Sequence, residues 1–359
     1  MDKYIDYYND SKKVTYHEQT DISNILKLRA VLKTLPDFCK DYFRAMDPLT
    51  TTKTRISYAY DIRIFFQFLL DENPAFKDYS MKDFTVDVLD QLKAIDIEEY
   101  QEYLKVYKNG DKTETNGERG LKRKISALRS FYAYYYKHEF IQTNPTVLVD
   151  VPKTHEKNII RLDADEVAML LDHIEHCGDE LTGQKRVYYE KTKERDLAIV
   201  TLLLGTGIRV SECVGLDVED VDFKNNGIKI HRKGGAEVVV YFGEEVRSAL
   251  MEYMVERQKI TAADGSVNAL FLSLQNKRIS VRSVEKMVNK YSKLVTSLKH
   301  ITPHKLRSTY GTSLYRETGD IYLVADVLGH KDVNTTRKHY AAIDDDLKRS
   351  AAGAVKWEK

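Results

Sequence analysis

The sequence predicts a mainly α-helical protein with a small β component, a helical bundle followed by a mixed α/β domain. Three observations carry that expectation. A length of 359 residues exceeds one ordinary domain and leaves room for a core in each of two. Apolar residues recur at helical spacing before residue 140, most clearly Leu121, Ile125, Leu128, Tyr132 and Tyr135. Strand-like sequence is concentrated in GIKIHRK-GGAE-VVVYF, which reads as a hairpin turning at Gly234-Gly235.

Taken in order, residues 1–23 form a polar segment without apolar periodicity. A helix is expected from Ile25 to about Met46, stopped by Asp47-Pro48. Thr50, Thr51 and Thr52 offer N-caps to a second helix that buries Ile56, Ile62, Phe65, Phe66 and Leu69. Asp96 followed by Glu99 has capping-box spacing, ahead of Tyr100, Tyr103 and Leu104. The 121–135 series completes a bundle of four or five helices over 24–144, with the aromatic run FYAYYY at 131–136 as core with exposed edges. Asn144-Pro145 ends it, and residues 145–161, with Pro152 and several charges, read as an extended linker.

The second domain, 162–359, opens on Leu162 with Asp163 and Glu166 as the caps of a helix. Further helices are expected over about 194–206, from near Arg209, and over 244–259 and 281–297. Thr302-Pro303 is an N-cap followed by an N1 proline, opening a helix across His304–Glu317. Short helical pieces at 320–329 and 333–341 lead to a polar tail that ends as a docking helix or a frayed terminus.

Composition narrows the function classes. Hydrophobic residues at 42% and charged residues at 31% exclude pervasive disorder and fibrous repeats. No window approaches the roughly 18 uninterrupted apolar residues of a membrane span, so no membrane partner is expected. MDKYIDYYNDSKK lacks the apolar run of a secretory leader, and Cys39, Cys177 and Cys213 are too scattered for a disulfide frame or a zinc site. A cytoplasmic protein is expected.

The net charge of +1 hides an uneven distribution. Residues 81–102 carry seven Asp/Glu against two Lys, residues 117–137 six Lys/Arg against Glu118, and residues 277–316 ten Lys/Arg against Glu285. Two basic blocks are either the footprint of a polyanion or two solvated helix faces. In the first, Arg119, Lys122 and Arg129 form a stripe beside the apolar one, and Arg123 and Lys124 join them as candidate DNA contacts. In the second the candidates are Arg282, Lys286 and Lys305.

No phosphate loop, dinucleotide fingerprint, HExxH or paired-cysteine spacing occurs, so neither a cofactor nor a metal is expected. What remains is a set of basic and imidazole residues in distinct settings. Arg209 follows a glycine-closed helix in GTGIRVSE, and Lys233 stands at the mouth of the hairpin. His304 and Arg307 lie about one helical turn apart, on one side. His330 follows Leu328-Gly329, and Tyr340 ends GHKDVNTTRKHY. Each taken singly is more often structural than chemical.

As an ordered set, Arg209, Lys233, PHKLR, LGH and Tyr340 resemble the tyrosine recombinase (phage integrase) superfamily, from about residue 24 to the C-terminus. KERDLAIVTLLLGTGIRVSECVGLDVEDVDF, RKGG and SVEKMVNKYSK are most similar to its Xer branch, in particular the XerS type that acts as a single recombinase. The resemblance implies a SAM-like core-binding domain at 24–144 and a catalytic domain at 162–359. It implies cleavage and rejoining of double-stranded DNA through a 3′-phosphotyrosyl intermediate and a Holliday junction. The agent would be a homotetramer on paired recombination sites, cytoplasmic and nucleoid-associated, with or without an accessory protein.

By the same resemblance Tyr340 is the nucleophile, Lys233 the general acid, His304 an acid/base helper and His330 a donor to the scissile phosphate. Arg209 and Arg307 hold that phosphate, and Glu212 orients its neighbours. The chemistry calls for such a set. Guanidinium forks suit the charge that builds on the nonbridging oxygens. A phenol of pKa about 10 must lose its proton. The leaving 5′-oxygen must gain one.

Two uses fit, chromosome-dimer resolution at a dif-like site and integration or excision of a mobile element. The XerS-like segments, and the shortness of 1–23 against an arm-binding domain, favour the first. A catalytically silent DNA-binding protein of this fold is the rival from another class, and a type IB topoisomerase shares the chemistry. Some positions depart from the pattern. Ala236 and Glu237 stand where a further basic residue is common, and Ser308 where Xer members commonly have histidine. Tyr310, Tyr315 and Tyr322 are rival phenols, and spacing favours Tyr340.

Overall fold

A computed structural model describes residues 15–155, 160–232, 235–296, 299–330 and 333. The chain divides into two compact units, Met1–Lys157 and Asn158–Lys359. The first contains α1 (Tyr16–Leu32), α2 (Cys39–Ala45), α3 (Thr52–Glu72), the short α4 (Val88–Gln91), α5 (Ala94–Tyr103) and α6 (Glu118–Lys137). Between α5 and α6 lies an antiparallel ribbon, β1 (Val106–Asn109) and β2 (Lys112–Thr115).

Local chemistry sets these boundaries. Thr15 and Glu18 form a capping box, so α1 begins well before Ile25, inside the stretch expected to be a polar segment. Pro36 splits the helix expected over 25–46 into α1 and α2, since proline lacks the N–H that a helix interior needs. Thr51 caps α3, its hydroxyl accepting from the Thr54 N–H at 3.3 Å. Asp96 is the third residue of α5 and not its N-cap; its carboxylate accepts from the Lys93 N–H at 2.7 Å.

Aromatic rings fill this unit. Phe65, Phe66, Tyr100, Phe131, Tyr132 and Tyr135 are all buried, and Tyr136 at the end of the run is exposed. Edge-to-face pairs such as Phe65–Tyr100 and Tyr42–Phe131 lock the helices together. The stretch expected to begin a linker belongs in part to this core. Thr146 and Val149 are buried, and Arg129 donates to the carbonyls of both.

The second unit is mixed, and this is a mainly helical protein with few strands. It contains α7 (Ala164–His176), α8 (Gly183–Glu190), α9 (Lys193–Thr206) and α10 (Val210–Gly215). A three-stranded antiparallel sheet follows, β3 (Val221–Asp222), β4 (Gly227–His231) and β5 (Glu237–Tyr241), in the order β3-β4-β5. Then come α11 (Glu244–Gln258), α12 (Val281–Val295), α13 (Pro303–Thr318) and α14 (Ile321–Leu328). The helical piece expected at 333–341 lies almost wholly outside the described residues.

Helix α9 is the centre of this unit. Ala198, Ile199, Val200, Leu202 and Leu203 are fully buried, and the helix packs against α7, α11 and α13. A helix that is apolar on all sides has no face to offer water. The hairpin pairs from Gly227↔Tyr241 to His231↔Glu237, with Ile228, Ile230 and Val240 turned inward. Its turn closes through the Arg232 N–H to the Ala236 carbonyl at 2.8 Å. Cys39, Cys177 and Cys213 are free and buried, and no described helix is long and apolar enough to cross a membrane.

Candidate active site

The described part of the site is built around three helix ends that meet in the second unit. The first is the end of α9. Gly207 closes it at φ +62°, with the Tyr310 ring and the Leu328 side chain filling the space where a Cβ would stand. Ile208 then anchors in the core, and Arg209 becomes the N-cap of α10.

Glu212 fixes this arginine. Its carboxylate, 5% exposed, accepts from the Arg209 backbone N–H at 2.7 Å and from Nη1 at 2.8 Å. A buried carboxylate needs such partners, and here both come from one residue. The other guanidinium nitrogen, Nη2, reaches the Gly329 carbonyl at 3.4 Å.

The second end is the start of α13. Thr302 and Pro303 open the helix, which carries His304 in its first turn, exposed, and Arg307 in its second, buried. Arg307 Nη1 donates to the Gly207 carbonyl at 2.5 Å, and Nη2 donates to the Leu328 carbonyl. The third end is the C-terminus of α14. Gly329 closes it at φ +63°, and the His330 N–H returns to the Ala325 carbonyl at 2.9 Å.

Arg209, Glu212 and Arg307 therefore converge where His330 leaves α14, and His304 lies about one turn along α13 from Arg307. Lys233 and Tyr340 lie outside the described residues. Beside the converging residues lies one that the ordered motif does not name, Arg232. Its Nη2 donates to the Val327 carbonyl at 2.8 Å and its Nη1 lies 3.4 Å from that of Asp326. The available signal was the doublet Arg232-Lys233, in which only the second residue matched the motif.

Three guanidiniums thus meet the carbonyls of residues 326–329, the negative pole of α14. Fixed cations in a partly desolvated setting are suited to holding an anion such as a phosphodiester. Among the described residues no group of three or more His, Cys, Asp or Glu converges as a metal site would. Of the rival phenols, Tyr310 is half-buried and its burial pushes the phenol pKa up, which disfavours the phenolate. Tyr315 is buried, and Tyr322 is exposed on α14.

The basic faces divide sharply. On α6, Arg119 and Lys122 are exposed, and Arg123 is half-exposed while its guanidinium donates to Asp61 and Ser57. Two of the expected DNA contacts are corrected. Lys124 is buried, its ammonium 3.2 Å from the Asp61 carboxylate, because it lies on the inward arc beside Ile125. Arg129 is committed to the carbonyls of Thr146 and Val149. On α12, Arg282 and Lys286 are exposed opposite the buried Val284, Met287, Val288 and Tyr291. Lys305 is half-buried on α13.

Known proteins resemble this chain over most of its length. The model of the phage integrase family matches residues 160–346. The chain is 33% identical over 304 residues to tyrosine recombinase XerC of Caldanaerobacter subterraneus subsp. tengcongensis, covering 82% of this chain and 79% of that protein. It is 31% identical over 339 residues to tyrosine recombinase XerS of Streptococcus uberis, covering 88% and 94%. Among solved structures, XerH site-specific recombinase bound to palindromic difH substrate, a post-cleavage complex, matches with a TM-score of 0.61 at 20% identity, over 84% of this chain and 80% of that one. The Tn1549 transposon integrase in complex with transposon right end DNA matches with a TM-score of 0.61 at 20% identity, over 87% and 99%. The last two likenesses establish the fold.

Proposed function

The chain belongs to the phage integrase family, the site-specific tyrosine recombinases, and from that premise we propose that it resolves chromosome dimers at a dif-like site. The observation that supports an intact active centre is the meeting of Arg209, Glu212 and Arg307 at the end of α14, where His330 emerges.

In the proposed reaction Arg209 and Arg307 hold the nonbridging oxygens of the scissile phosphate, and His330 donates to it. The Tyr340 oxygen attacks phosphorus, the bond to the 5′-oxygen breaks, and a 3′-phosphotyrosine forms. The phenol proton passes to a base, with His304 as helper, and Lys233 protonates the departing 5′-oxygen. The ester keeps the bond energy, so rejoining is the same step run with a new 5′-hydroxyl and needs no ATP. Exchange between two duplexes through a Holliday junction engages one protomer per strand, hence a homotetramer on paired sites, nucleoid-associated in the cytoplasm.

Arg119, Lys122 and Arg123 on α6 and Arg282, Lys286 and Lys305 in the second unit supply the contacts to the DNA backbone. The dif-like site is supported by the likeness to XerS over nearly all of both chains and by the XerH complex with difH. A mobile-element use is the second reading, supported by the equally close fold of the Tn1549 integrase.

Covalent trapping tests the reading. Nicked duplexes carrying dif-like inverted repeats are incubated with wild type and with Tyr340→Phe, then run on denaturing gels. The expected result is a protein–DNA adduct with wild type only. An adduct that survives the substitution moves the nucleophile to Tyr310, Tyr315 or Tyr322. Tight, salt-sensitive binding to the same DNA without any adduct makes the protein a binder of this fold and overturns the reaction.

A further inference from the structure

We infer that Arg232 is a positioning residue for proton delivery to the leaving 5′-oxygen, clamping the β4–β5 hairpin onto the C-terminal end of α14. The inference rests on the proposal that Lys233 is the general acid.

Arg232 does two things at once. Its backbone closes the hairpin, the N–H donating to the Ala236 carbonyl at 2.8 Å and the carbonyl accepting from Gly235 at 3.1 Å. Its side chain leaves the hairpin altogether. Nη2 donates to the Val327 carbonyl at 2.8 Å, and Nη1 lies 3.4 Å from the Asp326 carbonyl. These bonds join residues more than 90 positions apart in sequence.

The seat for the guanidinium is specific. It packs against Gly329, and a Cβ at that glycine would overlap the Arg232 guanidinium itself. The same helix end fixes the phosphate-holding pair, since Arg307 takes the Leu328 carbonyl and Arg209 reaches that of Gly329. The last strand pair of the hairpin is His231↔Glu237, so Arg232 stands just past the ladder while its side chain bonds the helix end. Arg232 supplies that connection from the position directly before Lys233 in the sequence. Charge-assisted bonds from a planar fork hold direction as well as distance. A misplacement of about 1 Å in a reacting group costs on the order of 10²-fold in rate.

Single-turnover cleavage of two nicked substrates separates proton delivery from everything else. One has the ordinary 5′-oxygen at the scissile bond, the other a bridging sulfur in its place. A thiol ionises near pH 8.5, so sulfur departs as thiolate without an acid. Lys233→Ala is the reference for a lost acid. Arg232→Ala is expected to slow cleavage of the oxygen substrate by about 10²-fold, to bind DNA as wild type does, and to recover with sulfur to within about tenfold of wild type. Arg232→Lys, with one point charge in place of the fork, is expected to fall between them, and it carries the test if the alanine variant does not fold.

Equal slowing on both substrates, with Lys233→Ala rescued by sulfur, overturns the inference and makes Arg232 a fold or phosphate residue. A Lys233→Ala defect that sulfur does not relieve overturns the acid assignment instead.

Discussion

Asp61 decides what the basic stripe on α6 has to offer. Its carboxylate is almost fully buried, bonded to Arg123 Nη2 at 2.8 Å and to Lys124 at 3.2 Å. Burial pushes its pKa up and the two cations pull it back, with burial prevailing. Removing the carboxylate strands the Lys124 charge inside the unit, and breaking a buried pair from one side costs about 3–5 kcal/mol. Asp61→Ala should therefore lower the thermal midpoint of the first unit, followed by circular dichroism, well beyond the shift from Lys124→Met, which leaves no buried ammonium behind. Lys122→Ala is the contrasting case. It should leave stability within about 0.5 kcal/mol and reduce the salt dependence of DNA binding by about one phosphate contact. At this scale a charge count could not separate Lys122 from Lys124, because burial depends on angle around the helix. The ordered motif named Arg209, Glu212, Arg307 and His330, which the fold brings together at the end of α14. Arg232 left no pattern in sequence, since its partners are backbone carbonyls that any residues would supply.

At the scale of elements, the turn from α9 into α10 is where fold and site depend on each other most directly. Gly207 sits at φ +62°, and its missing Cβ leaves room for the Tyr310 ring and Leu328. A left-handed conformation costs a residue with a Cβ about 1–2 kcal/mol, and forcing atoms into a packed site adds about 1–3 kcal/mol. Gly207→Ala should destabilise the second unit by a few kcal/mol. Because Arg209 is the next helix's N-cap and Arg307 bonds the Gly207 carbonyl, cleavage should fall further than stability explains. The check is single-turnover cleavage at a temperature where the variant remains folded, and a wild-type rate there would refute the coupling. Most elements were legible from local signals. The α7 capping box, the Thr51 cap, the Thr302-Pro303 start and the β4–β5 hairpin all stand where side-chain chemistry placed them. The β1–β2 ribbon, which turns at Gly110-Asp111, was not legible, because its strands are mostly exposed and lack apolar alternation. The helix expected over 25–46 is interrupted at Pro36, and the Thr15–Glu18 box starts it earlier.

For the whole molecule, the change of periodicity near residue 145 marks the end of the helical pattern, while the chain divides between Lys157 and Asn158. The packing of 145–151 onto the first core was not legible, because the burial of Thr146 and Val149 is a tertiary effect, with Arg129 bonding both carbonyls. Each unit has its own core and its own exposed basic helix face, α6 in one and α12 in the other. A net charge of +1 gives no hint of this, since the opposing carboxylates lie elsewhere in sequence. If DNA engages both faces, the salt dependence of binding must sum over them, because each neutralised phosphate contributes about −0.9 to the slope of log K against log salt. Replacing Arg119 and Lys122 by alanine should reduce the slope by about 1.8, and replacing Arg282 and Lys286 should do the same. The fourfold variant should lose about 3.6, since each neutralised phosphate adds its own increment to the slope. Titrations of a dif-like duplex at several salt concentrations measure all three. A fourfold loss no larger than one pair's would mean that only one face meets DNA, whereas cleavage at saturating DNA should stay near wild type, because none of the four is assigned to the reacting phosphate.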